Sequence, residues 1–351
     1  MATAANDLIR QFTRLDARDR RLLNDYQHDF PLCPRPYRAL GQELDLAEDE
    51  VIRRLARLRA RGAVSRVGVV FRPHRTGAST LAALAVPPAR LPEVARLVSG
   101  YRAVNHNYER EHPYNLWFVV TAADEGAVQA VLEDIRRRSG LDPLYLPMLE
   151  DFHIDLGFDL EGDRGRRPGR PRPAAVALPP SAQRCLVQAV QEGFPLARRP
   201  FAVLAARCGL TEAHVLGGLA AWLEDGTVKR VGVVVRHHEL GYRANAMAVW
   251  DVPDHRVGRI GRRMAAQPGV TLCYRRSRHL PQWPYNLYCM VHGRHRGEAE
   301  ARLAAIRAAC GIESLDGAVL YSRRRFKQRG ALYVDGARPA TAGPAPRSLE
   351  A

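Results

Sequence analysis

Val104–Val120 reads VNHNYEREHPYNLWFVV, and an altered copy runs from Val270 to Val291 as VTLCYRRSRHLPQWPYNLYCMV. Both copies carry a Tyr with a nearby Arg, a Pro-Tyr-Asn-Leu core and an apolar run with the character of a buried strand. Charges, His and Pro separate the shared Tyr from the shared Tyr-Asn-Leu. A strand, polar turn, strand unit of this kind can hold an anionic ligand over a hydrophobic floor. Tyr108 corresponds to Tyr274 and Arg110 to Arg276, whereas His106 corresponds to Leu272. The halves of a duplication have diverged at the place where chemistry would sit.

The duplication extends upstream. Phe30-Pro31-Leu32 matches Phe194-Pro195-Leu196, and Arg66-Val67-Gly68-Val69-Val70 matches Arg230-Val231-Gly232-Val233-Val234, at one offset of 164 (194 − 30; 230 − 66). So long an internal match is the mark of a repeat. Leu22, Leu23 and Tyr26 lie at helical spacing; a short helix is expected over Tyr37–Leu44, and a third has Val51, Leu55 and Leu58 on one face. The acidic Asp45–Glu50 reads as the start of that helix and Gly62 as its end. Ser65–Phe71 then reads as a wing, so each repeat opens with a winged helix-turn-helix. After each wing the pattern is β-α-β-β-α-β, the ferredoxin-like arrangement. An antiparallel sheet with helices on one face needs a cover on the other, and two such modules can cover each other.

The expected organisation is α+β: a lead-in at 1–15, a winged unit at 16–72, a ferredoxin-like module at 73–160, a linker at 161–180, a second winged unit at 181–236, a second module at 237–335 and a disordered tail at 336–351. Pro, Gly and Arg crowd the linker, and it lacks an apolar period.

With 351 residues the chain can bury sizeable cores. Its formal net charge of +16 calls for an acidic partner, whether nucleic acid, anionic membrane or a polyanionic small molecule. Almost all of the cations are Arg, the planar fork suited to carboxylates and phosphates. The six Cys form no CxxC pair, so no metal site is expected. Without a signal peptide or an 18-residue apolar run, the expectation is a soluble, cytoplasmic protein with no membrane partner.

A winged helix-turn-helix followed by this module resembles the Lrp/AsnC family of regulators. Longer strings narrow the likeness: VNHNYEREHPYNLWFVV, FHIDLGFDL at Phe152–Leu160, RHHELGYRANAMAVWDVP at Arg236–Pro253 and WPYNLYCMVHGR at Trp283–Arg294. These resemble the siroheme decarboxylases of haem d1 biosynthesis, in which two Lrp-like subunits, D and L, act together and are sometimes fused. Residues 16–160 look like the D type and 181–335 like the L type. The resemblance implies loss of two acetate carboxyls of siroheme as CO2, giving 12,18-didecarboxysiroheme, with the iron tetrapyrrole as substrate and no required cofactor. It also implies an internal D–L pseudo-dimer, and modules of this kind commonly pair further.

That chemistry needs a proton donor near the acetate, Arg forks for the remaining carboxylates and an apolar floor for the macrocycle. Alternate residues of a strand share a face, so His106, Tyr108 and Arg110 should point one way, as should Tyr274 and Arg276. His106 and Tyr108 are therefore candidate catalytic residues; the resemblance, through the RH-x-x-LGY string, implies His237 as a third, to donate a proton or to ligate the iron. Arg110, Tyr274, Arg275, Arg276, Arg278, His238, Trp117 and Met290 are the candidate substrate contacts. The strands of His106 and Tyr274 are expected near one another across the two modules.

The competing reading is a DNA-binding regulator, to which the net charge and two helix-turn-helix units point. Against it, Thr211–Gly226 contains no Arg or Lys and is acidic, a poor face for phosphates. Arg53, Arg54, Arg57, Arg59 and Arg61 leave the first unit alone as a DNA reader. On this reading the helix-turn-helix units are retained scaffold and no specific DNA is expected. A third reading is a sensor that binds the tetrapyrrole without reacting.

Overall fold

The structure is a computed structural model, which describes residues 15–72, 76–154, 170–235 and 244–333. His237, His238, most of the lead-in and the 336–351 tail lie outside the described residues.

The first winged unit comprises α1 (Ala17–Asn24), α2 (Pro36–Leu44), α3 (Glu48–Ala60) and β1 (Val64–Phe71). The Asp16 side chain caps α1 by accepting from the Asp19 amide at 2.8 Å. Glu48, Asp49 and Glu50 fill the first turn of α3, the acidic start expected of it, and Gly62 follows its end with φ +81°. Its module follows as β2 (Ala78–Leu84), α4 (Leu91–Gly100), β3 (Val104–Arg110), β4 (Leu116–Ala122), α5 (Glu125–Ser139) and β5 (Leu144–Ile154). The second half repeats the order with α6 (Pro180–Val190), α7 (Pro200–Cys208), α8 (Glu212–Glu224) and β6 (Val228–Val235). Then come β7 (Ala244–Trp250), α9 (Asp254–Ala265), β8 (Val270–Arg276), β9 (Leu287–Gly293), α10 (Arg296–Cys310) and β10 (Gly317–Gln328).

The physical bodies do not follow the two halves of the sequence. Both winged units share one core, running from Leu22 and Tyr37 to Phe201 and Val233. Their wings pair as an antiparallel ribbon, with Gly68 opposite Gly232. The glycine of each RVGVV string is needed there. A Cβ on Gly232 would lie 2.1 Å from the Gln27 carbonyl oxygen, and one on Gly68 would meet Gly193 at 3.0 Å. Each wing thus packs on the end of the first helix of the other unit. Val233 N–H donates to Tyr26 O at 2.7 Å, and Phe194 N–H to Val67 O at 2.6 Å.

The two modules merge into a closed eight-stranded barrel, ordered β10-β3-β4-β2-β5-β8-β9-β7. Each long last strand pairs with the first strand of its own module and also with the edge strand of the other: β5 with β2 and β8, β10 with β7 and β3. No sheet edge remains within the barrel. Helices α4 and α5 cover one outer face through Phe118, Leu132 and Ile135; α9 and α10 cover the other through Ile260, Leu303 and Ile306. The inner faces enclose a third core that draws on both halves, including Trp117, Leu146, Met247, Tyr274, Tyr288 and Leu320.

Every pairing in this ring is antiparallel, so strand direction alternates around it. Strands β3 and β8, four places apart, therefore run the same way on opposite walls. They were expected near one another. They face each other across the lumen, and each bonds instead to the last strand of the other half.

Candidate functional site

His106 and Tyr108 stand opposite Val119 and Trp117 in the ladder, both of which belong to the inner core. Partners directly opposite share a face, so His106, Tyr108 and Arg110 look into the lumen, as their spacing predicts. The rings of His106 and Tyr108 are nearly parallel, with centroids 6.2 Å apart, and the Arg110 guanidinium lies 5.9 Å from the Tyr108 ring. Opposite them, Tyr274 and Arg276 repeat the arrangement: the Arg276 guanidinium sits 4.6 Å from the Tyr274 ring and 5.9 Å from Tyr288. Leu272 takes the place of His106.

The two inward arginines are tethered alike. Arg110 Nη1 donates to Leu320 O on β10 at 2.9 Å, and Arg276 Nη1 donates to Leu146 O on β5 at 2.6 Å. Each cation ties its own strand to the other half. Both are buried, and neither Nε has a hydrogen-bond partner. Burial pushes Arg110 down to about 10, leaving it charged at neutral pH. Each retains donors for an anion at the cost of a poorly solvated charge, the usual condition of an anion-binding arginine.

The lumen is layered along its axis. At the end where β2 and β7 begin, next to the wings, lie Ser79, Thr121, Asn105 and His106 from one half and Asn245, Thr271 and His292 from the other. The middle is aromatic and apolar: Trp117, Tyr108, Tyr274 and Met290. The far end holds Arg110 and Arg276 under the hairpins. There Trp283 packs against Trp117 at 5.0 Å and donates to the Tyr288 hydroxyl at 2.6 Å. His106 and Arg110 are roughly 13 Å apart along their strand, at ~3.3 Å per residue. A ligand that touches both must span that distance and offer an acceptor to Arg110.

His106 is held neutral in the free protein. Burial, and after it the nearby Arg66 charge, push its pKa down to about 4. Arg66 enters from the first wing; its own pKa is lowered by burial, and its Nε has no partner. Sequence reading took this residue as part of a wing strand and missed it. It missed Asn105, Thr121 and Trp283 as well. No local signal marks Asn105: it sits in a bulge between Val104 and His106 that shows only in the register of β3 with β4.

Two expectations are corrected. Arg275 faces the helix side of its strand, opposite Leu287, and pairs with Asp254 at 3.0 Å. Arg278 is clamped by Asp251 at 2.6 Å and Asp254 at 2.8 Å, with further bonds to Pro284 O and Val252 O. Neither is brought to the lumen. Period two places Arg275 on the face opposite Tyr274, and the carboxylates that claim Arg278 lie far away in sequence.

Among the described residues, three arginines of the first reading helix are taken up by carboxylates, and the second reading helix is covered. On α3, Arg53 pairs with Glu50, Arg54 with Asp16, Asp19 and Glu50, and Arg57 with Asp19. On α8, the linker lies over the helix: Val176 N–H donates to Gly217 O at 3.0 Å, and a Cβ on Gly217 would come 2.4 Å from Val176 Cγ2. Two open clefts lie on these units. The larger, about 650 Å³, is lined by Arg59, Ser65, Gln188 and Arg207 among others. The candidate proton carrier and the inward arginines all line the barrel, which we therefore take as the site.

Comparison with known proteins decides between the readings. The siroheme decarboxylase NirDL-like HTH domain family matches residues 19–64 and 183–228, and the AsnC-like ligand binding domain family matches 76–153 and 239–327. The siroheme decarboxylase NirDL subunit of Paracoccus denitrificans is 43% identical over 321 residues, 92% of this chain and 98% of that one. The chain belongs to the siroheme decarboxylase family. A crystal structure of the siroheme decarboxylase NirDL superposes with a TM-score of 0.65 at 29% identity, covering 91% of this chain and 94% of that one. A co-complex of that enzyme with an iron-uroporphyrin III analogue matches with a TM-score of 0.63 at 28% identity, over 90% and 93% of the two chains. Enzyme membership, the paired winged units and the ferredoxin-like modules thus agree with the sequence reading, and the regulator alternative falls. No helix among the described residues is long and apolar enough to cross a membrane.

Proposed function

We propose that this protein is a carboxy-lyase that converts siroheme to 12,18-didecarboxysiroheme, releasing two acetate carboxyls as CO2 for haem d1 biosynthesis. The observation that carries this reading is the end-to-end match to a siroheme decarboxylase at 43% identity. The barrel supplies the parts the chemistry requires. Each step converts a ring –CH2–COO⁻ and one proton into –CH3 and CO2. The electron pair of the broken C–C bond enters the conjugated macrocycle and is then taken up by the new methyl carbon with a proton. The balance needs a proton and no external oxidant or reductant.

In this reading His106 delivers the proton, and Tyr108, stacked beneath it, aligns the imidazole and the substrate edge. Arg110 and Arg276 hold carboxylates on opposite sides of the macrocycle, while Trp117, Tyr274 and Met290 form the apolar wall. His237 and His238 precede β7 in the sequence, lie outside the described residues, and are retained as candidates on their sequence alone. The low pKa of His106 supports a proton taken up with the substrate: carboxylates entering the lumen favour the charged imidazole, countering burial and Arg66. Incubating the anaerobic protein with siroheme and following product mass tests the activity. Loss of two CO2 per molecule is expected; a bound but unchanged mass would make the protein a tetrapyrrole binder.

A further inference from the structure

The bulge in β3 does more than bend the strand. It breaks the alternation between Val104 and His106, placing the side chains of two consecutive residues, Asn105 and His106, together. Asn105 is buried, and its Oδ1 lies 2.7 Å from His106 Nδ1. Its Nδ2 donates to Thr121 Oγ1 at 2.9 Å, and Thr121 Oγ1 donates to Ser79 Oγ at 3.0 Å. The Thr121 hydroxyl has one proton. With the Thr121 proton given to Ser79, Thr121 accepts from the amide, an arrangement in which Asn105 Nδ2 faces Thr121 and Oδ1 faces His106. An amide oxygen only accepts, so Nδ1 of His106 carries a hydrogen. Nε2 is left as the nitrogen that gains and loses a proton.

We propose that Asn105 is a positioning residue for decarboxylation: through the Ser79–Thr121–Asn105 chain it holds His106 in one tautomer and one ring orientation, so that proton transfer runs through Nε2 alone. The inference rests on the assignment of His106 as proton carrier, which His106→Ala tests separately. The second half is built differently. Its bulge residue is Thr271, followed by Leu272. Thr271 Oγ1 donates to Met290 O at 3.1 Å and lies 3.1 Å from Nδ1 of His292, which is on the neighbouring strand rather than next in sequence; there a hydroxyl, not an amide, meets the ring.

The test combines NMR and kinetics on the full chain. In wild type, ¹⁵N-histidine spectra, assigned by comparison with His106→Ala, should show His106 protonated at Nδ1 and unprotonated at Nε2 near neutral pH. Asn105→Leu should give a mixture of tautomers and lower kcat about tenfold or more, the usual size of effect for a histidine's orienting partner, with KM little changed. Asn105→Asp keeps an acceptor at Nδ1 and adds negative charge. It should retain more activity than Asn105→Leu and move the basic limb of the pH profile to higher pH. If Asn105→Leu does not fold, Thr121→Val, which leaves the amide free to turn, takes its place with the same expected tautomer mixture. An unchanged tautomer with unchanged kcat, or an Asn105→Asp profile superposable on wild type, overturns the proposal. If His106→Ala itself keeps full turnover, the proton-carrier assignment fails, while the spectra still report whether Asn105 sets the tautomer.

Discussion

The two walls of the barrel share a scaffold and differ in chemistry. Both have a bulge at the start of the inner strand, an inward Tyr and an inward Arg tethered to a carbonyl of the opposite half. On one wall the bulge is Asn105 and the next residue is His106; on the other they are Thr271 and Leu272. The second wall has a histidine of its own, His292 on β9, whose Nδ1 lies 3.1 Å from Thr271 Oγ1. Groups that close the barrel are duplicated, because each half must be tied to the other. The proposed proton carrier is not, as expected if a substrate with an asymmetric rim presents different edges to the two walls. Two non-identical halves allow each wall to change without altering its mirror image.

The largest effect should come from making the first wall resemble the second. His106→Leu removes the candidate proton carrier while keeping a side chain that the mirror position already accepts. Loss of a general acid–base group costs about 10²–10⁴ in turnover, so product formation should fall by that factor with siroheme binding retained. Unchanged turnover would remove His106 from the mechanism.

Next come the arginines. Charge-assisted hydrogen bonds are worth ~1.5–3 kcal/mol, or about ten- to a hundredfold in affinity. Arg110→Ala and Arg276→Ala should each weaken siroheme binding by that order, measured by tetrapyrrole absorbance titration. Both also lose a bond that closes the barrel, so both should lower the melting temperature. If only one weakens binding, the walls are unequal in anchoring as well as in proton transfer. If neither does, the clamp is wrong and these residues only close the barrel.

Much of this was legible in the chain. The constant offset between repeats revealed the two winged units and two modules, and period two placed His106, Tyr108 and Arg110 on one face. What was not legible was long-range. Nothing local says that β5 and β10 are long enough to pair twice, so the meeting of β3 and β8 across a lumen, rather than side by side, came only with the sheet order. The carboxylates that claim Arg278, and the linker that covers α8, are likewise remote in sequence. Asn105 escaped because a bulge looks the same as a regular strand until its partners are known.

The winged units offer a comparison of their own, with a smaller expected effect. One recognition helix has three of its arginines, Arg53, Arg54 and Arg57, paired with carboxylates, and the other lies under Val176 and Leu178. Phosphate binding by several free cations would give a steep loss of affinity with salt. The protein should instead show no sequence-selective retardation of DNA, and its weak retention at low salt should vanish near physiological ionic strength. Tight, sequence-selective binding would show that these pairs open and that the scaffold reading is wrong.

The smallest effects are pH-dependent stabilities, and they separate the two walls by window. His106 has a folded pKa pushed from 6.5 to about 4 by burial. Between those values the unfolded chain binds more protons than the folded one, so stability rises with pH. The neutral-histidine contribution is therefore complete above about 6.5 and is lost as pH falls toward 4. On the other wall, Arg278 holds the exposed Asp254 carboxyl below its ordinary 3.8. Its contribution is present above that value and disappears only below it. Denaturant midpoints measured from pH 7.5 to 3 should show the wild-type decline between 6.5 and 4 flattened in His106→Leu and kept in Arg278→Ala. Arg278→Ala should differ from wild type by no more than a surface pair is worth, ~1 kcal/mol or less, with that difference closing below pH 4. If His106→Leu declined as steeply as wild type between 6.5 and 4, His106 would not be buried as a neutral imidazole, and the substrate would have no proton to recruit there.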